Sequence, residues 1–178
     1  FYQTLGTNVT LVEFLPRIVP NEDEEVSKYL ERSFKKMGMK IMTDSSVESA
    51  EVTGEKCLVK IRTPKGEETV ETEILFSAVG VTPNTEGIGL ETANVNTDRG
   101  KVVVDEFYRT SVPGVYAIGD IVHGPALAHV ASAEGIACVE KIAGLDPEPL
   151  NYSNVPACTY TSPEIASCGY TEAAAREA

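Results

Sequence analysis

The sequence contains little of what marks several common classes of protein. Its 178 residues include no tryptophan, two histidines and four cysteines, and 15 basic residues stand against 27 acidic ones. The net charge of −12 opposes binding to nucleic acid and to anionic membranes. No apolar run reaches the roughly 20 residues that span a bilayer, and no signal peptide is recognisable. We therefore expect an intracellular protein with no nucleic-acid or membrane partner.

Two motifs of redox and nucleotide chemistry are also absent. The cysteines lack C-x-x-C spacing, so we expect reduced thiols that are buried as small hydrophobic residues, at Cys57, Cys138, Cys158 and Cys168. No G-x-G-x-x-G occurs, so the glycine turn that cradles a dinucleotide phosphate is missing.

The chain starts at Phe1 rather than at a methionine and stops at Ala178 within a predicted helix. We expect it to be part of a longer protein.

Residues 1–84 carry the pattern of an α/β nucleotide-binding domain. Short β-branched runs predict buried parallel strands, and a change of the apolar period to two predicts an antiparallel ribbon. The elements expected are a strand at 9–13, a helix that ends at Gly38, a strand at 40–42, a ribbon at 47–70 and a buried strand at 74–80. This order is that of half a Rossmann-like domain.

Residues 85–150 form a second predicted unit of strands and one long helix. We expect strands at 101–105 and 115–120, the latter buried, and a helix at 126–143. Small residues dominate the first turns of that helix. They allow a backbone segment or a planar ligand to approach it closely.

Two acids at the ends of predicted strands are candidates for binding a nucleotide. A carboxylate at Glu13 can accept both hydroxyls of an adenosine ribose and would repel a 2′-phosphate, although an acid at a strand end is more often solvated or structural. The carboxylate of Asp120 can accept a ribityl or ribose hydroxyl, and Gly119 leaves room for the ligand. The alternative for Asp120 is a turn or a helix cap. Position alone leaves both alternatives open.

Three segments resemble motifs of one enzyme family, in the order in which that family has them. The sequence SVPGVYAIGD at 111–120, followed by LAH at 127–129 and EG at 134–135, resembles the second flavin-binding motif of the pyridine nucleotide–disulfide oxidoreductases. The sequence SAVGVTPNT at 77–85 resembles the G-R-x-P-N-T segment between their NAD and FAD domains. No single segment would be specific for this family, but the occurrence of all the segments in the family's order is specific for it.

The start of the chain narrows the resemblance within that family. VTLVE at 9–13 and LPRI at 15–18 are similar to the dihydrolipoyl dehydrogenase group. The resemblance implies an α/β fold of three-layer Rossmann-like nucleotide-binding domains. It places part of the NAD-binding domain at 1–84, the second half of the FAD-binding domain at 85–150, and the start of an α+β dimerisation domain at 151–178.

On the NAD side the resemblance implies three binding residues. Glu13 matches the acid that binds the NAD ribose. Val47 matches a residue that packs near adenine, although a plain core residue is an equally good interpretation of it. Gly80 matches a position where the backbone passes close to the dinucleotide.

On the FAD side the resemblance implies one acid and the start of a helix. Asp120 matches the residue that binds the ribityl or pyrophosphate region of the flavin. Leu127, Ala128 and His129 match the helix start whose amides face the flavin carbonyl nearest N1. There the helix dipole stabilises negative charge on the flavin. We expect His129 to support this turn rather than to move protons, and His123 to be exposed.

The implied enzyme oxidises dihydrolipoamide and reduces NAD⁺ through FAD and a redox disulfide, in the cytoplasm or an organelle matrix. Its implied partners are a second copy of itself, in a homodimer, and the lipoyl-bearing subunit of a 2-oxoacid dehydrogenase complex. The family's redox cysteines and its catalytic histidine and glutamate would lie outside this chain. We therefore expect no catalytic residue and no metal site here, and no activity from these residues alone.

One departure and two alternatives accompany this interpretation. Val81 replaces the usual arginine of the G-R-x-P-N-T segment, so a charge contact from that position is missing. A sibling reductase for glutathione or mercuric ion is the first alternative, but such enzymes favour NADPH, which Glu13 would oppose. The second alternative is a binding module with no redox role.

Overall fold

The computed structural model describes residues 1–178, which group into one discontinuous and one continuous unit. Residues 1–78 and 156–178 form the first unit, and residues 79–155 form the second. The assignment of 1–84, 85–150 and 151–178 to three domains of the family stays a prediction.

The first unit begins with two parallel strands and the helix that connects them. After a 3-10 helix at Tyr2–Leu5, the elements are β1 (Thr10–Val12), α1 (Glu24–Lys36) and β2 (Lys40–Met42). Leu11 lies opposite Ile41 in the parallel pair. Acids in the first turn of α1 and lysines in its last turn complement the helix dipole. Leu30, on the inner face of α1, is buried with Ile18. This strand–helix–strand arrangement is the one that the sequence predicts.

An antiparallel ribbon follows, as the period-two pattern predicts. Its strands are β3 (Ser46–Thr53), β4 (Lys56–Thr63) and β5 (Gly66–Thr72), with β4 in the centre. The alternate side chains of β4 at Cys57, Val59 and Ile61 are buried and pack with Met42 of β2. The buried side chains of the ribbon therefore come from its central strand, β4.

The second unit combines short strands with one long helix. Its elements are β6 (Thr97–Asp98), β7 (Lys101–Val102), a 3-10 helix at Gly119–Ile121, α2 (Ala128–Ile142) and a 3-10 helix at Tyr152–Asn154. Its main apolar cluster consists of Val95, Val102, Ala117 and Val122. A second cluster joins Tyr108 to Ala137 and Cys138 of α2. The predicted helix is confirmed, with its ends shifted by one or two residues.

The last segment returns to the first unit. It contains β8 (Ala157–Thr159), β9 (Ile165–Ser167) and α3 (Glu172–Glu177), and the Thr171 side chain caps α3. Ile165 packs in the cluster of Ile18 and Leu30. The Ser167 hydroxyl contacts a Glu22 carboxylate oxygen at 3.2 Å. No helix of the structure is both long and apolar enough to cross a membrane.

Two predicted buried strands are wrong. Residues 74–80 form no strand, and Ile74 and Phe76 are 80% and 75% exposed. Residues 115–118 make only a single bridge, between Tyr116 and Arg109, and the strand predicted at 101–105 ends at Val102. A central strand needs hydrogen-bonded neighbours on both edges, and no segment of this chain pairs with 74–80.

The prediction for the cysteines is correct for two of them and wrong for the other two. Cys57 and Cys138 are buried, whereas Cys158 and Cys168 are exposed. The exposed pair lies in and beside the two-stranded β8–β9 sheet. Two strands cannot cover the side chains on both of their faces, which explains the exposure.

Candidate functional site

Glu13 directly follows β1, at the end of the sheet where both parallel strands finish. Its amide donates to the Met42 carbonyl at 2.8 Å, and its carbonyl accepts from the Ser45 amide at 3.0 Å. One carboxylate oxygen accepts from the Leu15 amide at 2.8 Å. The half-buried side chain is thus held by one oxygen, and its second oxygen makes no bond within the chain. A ligand hydroxyl can use that oxygen, because an ionised carboxylate accepts several hydrogen bonds.

The other two residues predicted for this nucleotide differ in their surroundings. Val47 lies in β3, two residues after Ser45, and is therefore close in the chain to the segment that bonds Glu13. It is 46% exposed, which argues against a plain core role. Gly80 lies in the exposed segment of the second unit, and the space on its side-chain side is open. Val47 is connected to Glu13 only through the backbone bond between Ser45 and Glu13, and the roles of Val47 and Gly80 stay predictions.

Asp120 lies in the 3-10 helix at Gly119–Ile121 rather than at the end of a buried strand. Its carboxylate is exposed and makes no bond within the chain. The backbone of this turn approaches α2 closely, since a Cβ atom on Gly119 would lie 3.3 Å from the Ala131 Cβ. A Cβ atom on Gly135 would likewise lie 3.2 Å from Ile118. The small residues of α2 therefore admit a backbone segment, as the sequence predicts.

The start of α2 lies eight residues after Asp120 and carries no side-chain cap. Leu127 occupies the cap position, and its carbonyl accepts the first helical bond, from the Ala131 amide. The side chains of Ala128 and His129 are exposed in the first turn. A helix leaves its first amides without backbone partners, and its dipole favours negative charge there. The start of α2 can thus receive an electron-rich group of a ligand.

A buried carboxylate next to this turn belongs to a residue for which the sequence pattern predicts no role. Glu134 of α2 is 1% exposed. One of its oxygens accepts from the Gly119 amide at 2.6 Å, and the other accepts from the Tyr152 hydroxyl at 2.6 Å. The Tyr152 hydroxyl also contacts the Tyr108 hydroxyl at 3.2 Å. The sequence did carry a signal, because Glu134 follows buried Val130 by four residues on the apolar stripe of the helix.

Burial sets the protonation of the two tyrosines. It raises the pKa of Tyr152, and the hydrogen bond to Glu134 raises it further. Burial also raises the pKa of Tyr108, whereas its hydrogen bond to Tyr152 acts in the opposite direction. Both hydroxyls therefore keep their protons at neutral pH. Tyr152 donates its proton to Glu134, and Tyr108 donates to the Tyr152 oxygen.

The second unit also contains a cavity of about 270 Å³ that both tyrosines help to line. Its lining consists of Val102, Val103, Val104, Asp105, Glu106, Tyr108, His123 and Tyr152. His123 is exposed, as predicted, and lies 3.2 Å from a carboxylate oxygen of Asp98. Neither Glu13 nor Asp120 lines this cavity, so it is distinct from the predicted nucleotide contacts.

The family model for pyridine nucleotide-disulphide oxidoreductase matches residues 1–135. The chain belongs to this family. Enzymes named dihydrolipoyl dehydrogenase are similar to it along almost its whole length. The one from Rhizobium etli is 44% identical over 99% of the chain. The mitochondrial one from Pisum sativum is 40% identical over 97% of it.

Solved structures agree with this family. LpdA from Mycobacterium tuberculosis superposes with a TM-score of 0.89 at 31% identity, over 99% of the chain and 38% of its own length. The HOCl-induced flavoprotein disulfide reductase RclA from Escherichia coli has the same TM-score at 22% identity, covering 99% of the chain and 40% of its own, which shows the fold alone. The α/β fold class of the oxidoreductase family is thereby confirmed.

This member of the family spans little more than a third of its relatives. The chain covers 37% of the Rhizobium etli enzyme and 35% of the Pisum sativum enzyme. None of its four cysteines forms a disulfide. The chemistry of the whole protein therefore has to be inferred from the nucleotide contacts that these residues offer.

Proposed function

We propose that the chain is the section of a dihydrolipoyl dehydrogenase that forms one side of its NAD site and one side of its FAD site. The enzyme converts dihydrolipoamide and NAD⁺ to lipoamide, NADH and a proton. The observation that carries the proposal is the identity of 40–44% to enzymes of that name over nearly the whole chain. The two carboxylates with free oxygens, at Glu13 and Asp120, support it independently.

On the NAD side, Glu13 selects the dinucleotide by charge and hydrogen bonding. Its Leu15 contact fixes one oxygen, and the other accepts a hydroxyl of the adenosine ribose. A 2′-phosphate at the same place would meet a carboxylate, so NADP⁺ is disfavoured. Val47 packs near the adenine, and the Gly80 backbone passes the dinucleotide. These residues bind and orient the nucleotide and move no proton.

On the FAD side, Asp120 binds the ribityl or pyrophosphate region and α2 faces the isoalloxazine ring. When bound, FAD supplies the two-electron carrier between the dithiol and NAD⁺. The residues of the chain fit this group, because the Asp120 carboxylate is unpaired and the first turn of α2 is uncapped. The amides of that turn, after Leu127 at Ala128 and His129, stabilise negative charge on the ring.

The remaining inferences concern the whole enzyme. It acts as a homodimer and receives electrons from the lipoyl-bearing subunit of a 2-oxoacid dehydrogenase complex. It works in the cytoplasm or in an organelle matrix. The redox cysteines and the proton-transferring residues belong to other parts of that protein.

The test is to express the protein from its complete gene and to follow NAD⁺ reduction by dihydrolipoamide at 340 nm. We expect Glu13→Gln to raise the KM for NAD⁺ by about 5- to 100-fold, the equivalent of about 1–3 kcal/mol for a hydrogen bond to a charged acceptor. Glu13→Gln should also reduce the ratio by which the enzyme prefers NAD⁺ to NADP⁺. The amide oxygen of glutamine can still accept from Leu15, so the strand end is retained.

The matched control is Glu51→Gln, which removes an exposed carboxylate from β3 away from the strand edge. It should leave both dinucleotide constants unchanged. An unchanged KM in Glu13→Gln would remove Glu13 from the site. Reduction of glutathione disulfide by NADPH, with no turnover of dihydrolipoamide, would identify a sibling reductase instead.

The 178 residues alone should produce no NADH from dihydrolipoamide. The chain has no closely spaced cysteine pair, and its two exposed cysteines are ten residues apart. Purified chain mixed with FAD, NAD⁺ and dihydrolipoamide provides the assay. Sustained turnover would contradict the view that the dithiol chemistry lies elsewhere.

A further inference from the structure

Glu134 is an acid in a place where an acid is costly. It lies on the buried face of α2, between Val130 and Cys138, one helical turn from each. A carboxylate removed from water is tolerated only when hydrogen bonds replace its solvation. Glu134 has two such bonds, each of 2.6 Å, from the Gly119 amide and from the Tyr152 hydroxyl. We therefore look for the role of Glu134 in the two groups that it binds, the Gly119 amide and the Tyr152 hydroxyl.

The two donors belong to segments far apart in the sequence. Gly119 begins the turn that carries Asp120, and Tyr152 lies 33 residues later in the 3-10 helix at Tyr152–Asn154. The Tyr152 ring also packs on Gly124, where a Cβ atom would lie 3.1 Å from the ring. The carboxylate thus ties the Asp120 turn to α2 on one side, and Tyr152 supports the carboxylate on the other.

The bond to the Gly119 amide limits where Asp120 can be. Peptide planarity fixes the Gly119 amide relative to the Ile118 carbonyl, and only two backbone angles separate it from the Asp120 amide. The turn runs close to α2, since a Cβ atom on Gly119 would lie only 3.3 Å from the Ala131 Cβ, and little room is left for a shift toward the helix. A shift away from the helix would break the bond to Glu134. The backbone from which the Asp120 side chain extends is therefore held close to α2.

We propose that Glu134 is a positioning residue for FAD, which holds the Asp120 turn against α2 so that the carboxylate and the helix amides meet the same flavin. The inference rests on the proposed function of Asp120 and α2. It assigns Tyr152 the supporting role of orienting the Glu134 carboxylate. Because Glu134 is 1% exposed, it acts through the Gly119 amide and not by contact with the flavin.

The test uses the full-length flavoprotein stripped of FAD and titrated with it, with flavin fluorescence giving the Kd. Glu134→Ala should raise the Kd for FAD at least 30-fold. Glu134→Gln should raise it only about threefold, because the amide oxygen accepts from Gly119 and the amide group donates to the Tyr152 oxygen. Tyr152→Phe should give an intermediate increase of about fivefold.

Cys138→Ala is the matched control for a purely structural effect. It opens a small cavity one turn along the same face of α2, in the cluster that contains Tyr108. It should lower the Tm and leave the Kd within twofold of the wild type. If it raises the Kd as much as a Glu134 variant with an equal loss in Tm, the positioning role is refuted.

The remaining outcomes separate this inference from the proposed function. A wild-type protein that binds no FAD would refute the proposed function, and this inference with it. A wild type that binds FAD, with Kd values within twofold in both Glu134→Gln and Tyr152→Phe and in any soluble Glu134→Ala, would refute only the positioning role. Should Glu134→Ala fail to fold, the Gln and Phe variants decide.

Discussion

The close approach of the Asp120 turn to α2 gives a prediction that can be measured without any ligand. Gly119 has a φ of +77°, and a Cβ atom there would lie 3.3 Å from the Ala131 Cβ. Gly114 has nearly the same backbone conformation, with a φ of +81°, but nothing within 4 Å of a Cβ atom. Replacing each by alanine therefore separates crowding from backbone strain.

The expected magnitudes follow from these two surroundings. An L-residue in the left-handed region costs about 1–2 kcal/mol, and alanine recovers about 0.4–1 kcal/mol by restricting the unfolded chain. Gly114→Ala should therefore lower the free energy of unfolding by about 1 kcal/mol or less. Gly119→Ala adds crowding of Ala131, which costs about 1–2 kcal/mol more. We expect Gly119→Ala to lower the free energy of unfolding by about 1–3 kcal/mol in total.

The assay is urea unfolding followed by circular dichroism, completed as a double-mutant cycle. Ala131→Gly removes the methyl group that a Cβ atom at position 119 would meet. The cycle should give a coupling free energy of about 1 kcal/mol between positions 119 and 131. Equal losses for Gly119→Ala and Gly114→Ala, with coupling below about 0.3 kcal/mol, would refute the close approach of the turn to α2.

Three further predictions concern stability and reactivity. Folding raises the pKa of Tyr108 and of Tyr152 above 10, so the unfolded chain loses these protons at lower pH than the folded chain does. The free energy of unfolding should therefore fall as the pH rises above about 10. In urea unfolding at successive pH values, Tyr152→Phe should make that fall smaller. Among the four cysteines of this chain, Cys158 and Cys168 should react quickly with a thiol reagent when the labelled positions in the native protein are mapped, and fast labelling of Cys57 or Cys138 would contradict their burial. Leu30→Ala should cost about 2–5 kcal/mol in urea unfolding, and a loss below 1 kcal/mol would contradict its burial.

Local periodicity predicted those elements whose stabilising contacts come from nearby sequence. The ribbon whose central strand is β4, and α1, which is the helix predicted to end at Gly38, are such cases. For each of these elements, the spacing of apolar residues predicted both the type of element and its buried face. The agreement arises because a ribbon or a helix satisfies its own backbone hydrogen bonds.

The pattern failed where an element depends on partners that the pattern does not name. The apolar run at 74–80 has the composition of a central strand, but composition does not supply neighbouring strands. The same holds for 115–118, which has one bridge to Arg109. Exposure of Ile74 and Phe76 is the physical result, because a strand without neighbours has no sheet in which to be buried.

At the candidate site, sequence patterns predicted the contact residues but not the residues that support them. Glu13 and Asp120 were predicted from strand ends and motif position, and both offer a free carboxylate oxygen. Glu134 was visible only as part of a motif, since its role depends on a tyrosine 18 residues away and an amide 15 residues away. A charged residue on the apolar stripe of a helix was the available signal.

The discontinuous first unit has a consequence for synthesis on the ribosome. Its cluster of Ile18 and Leu30 is closed by Ile165, and the Asp23 carboxylate accepts from the Glu172 amide at 2.8 Å. The continuous second unit lies entirely between these partners in the chain. As the nascent polypeptide emerges, residues 79–155 can fold before residues 156–178 have been synthesised. Residues 1–78 can complete their packing only when that last segment is available, so the second unit can fold before the first.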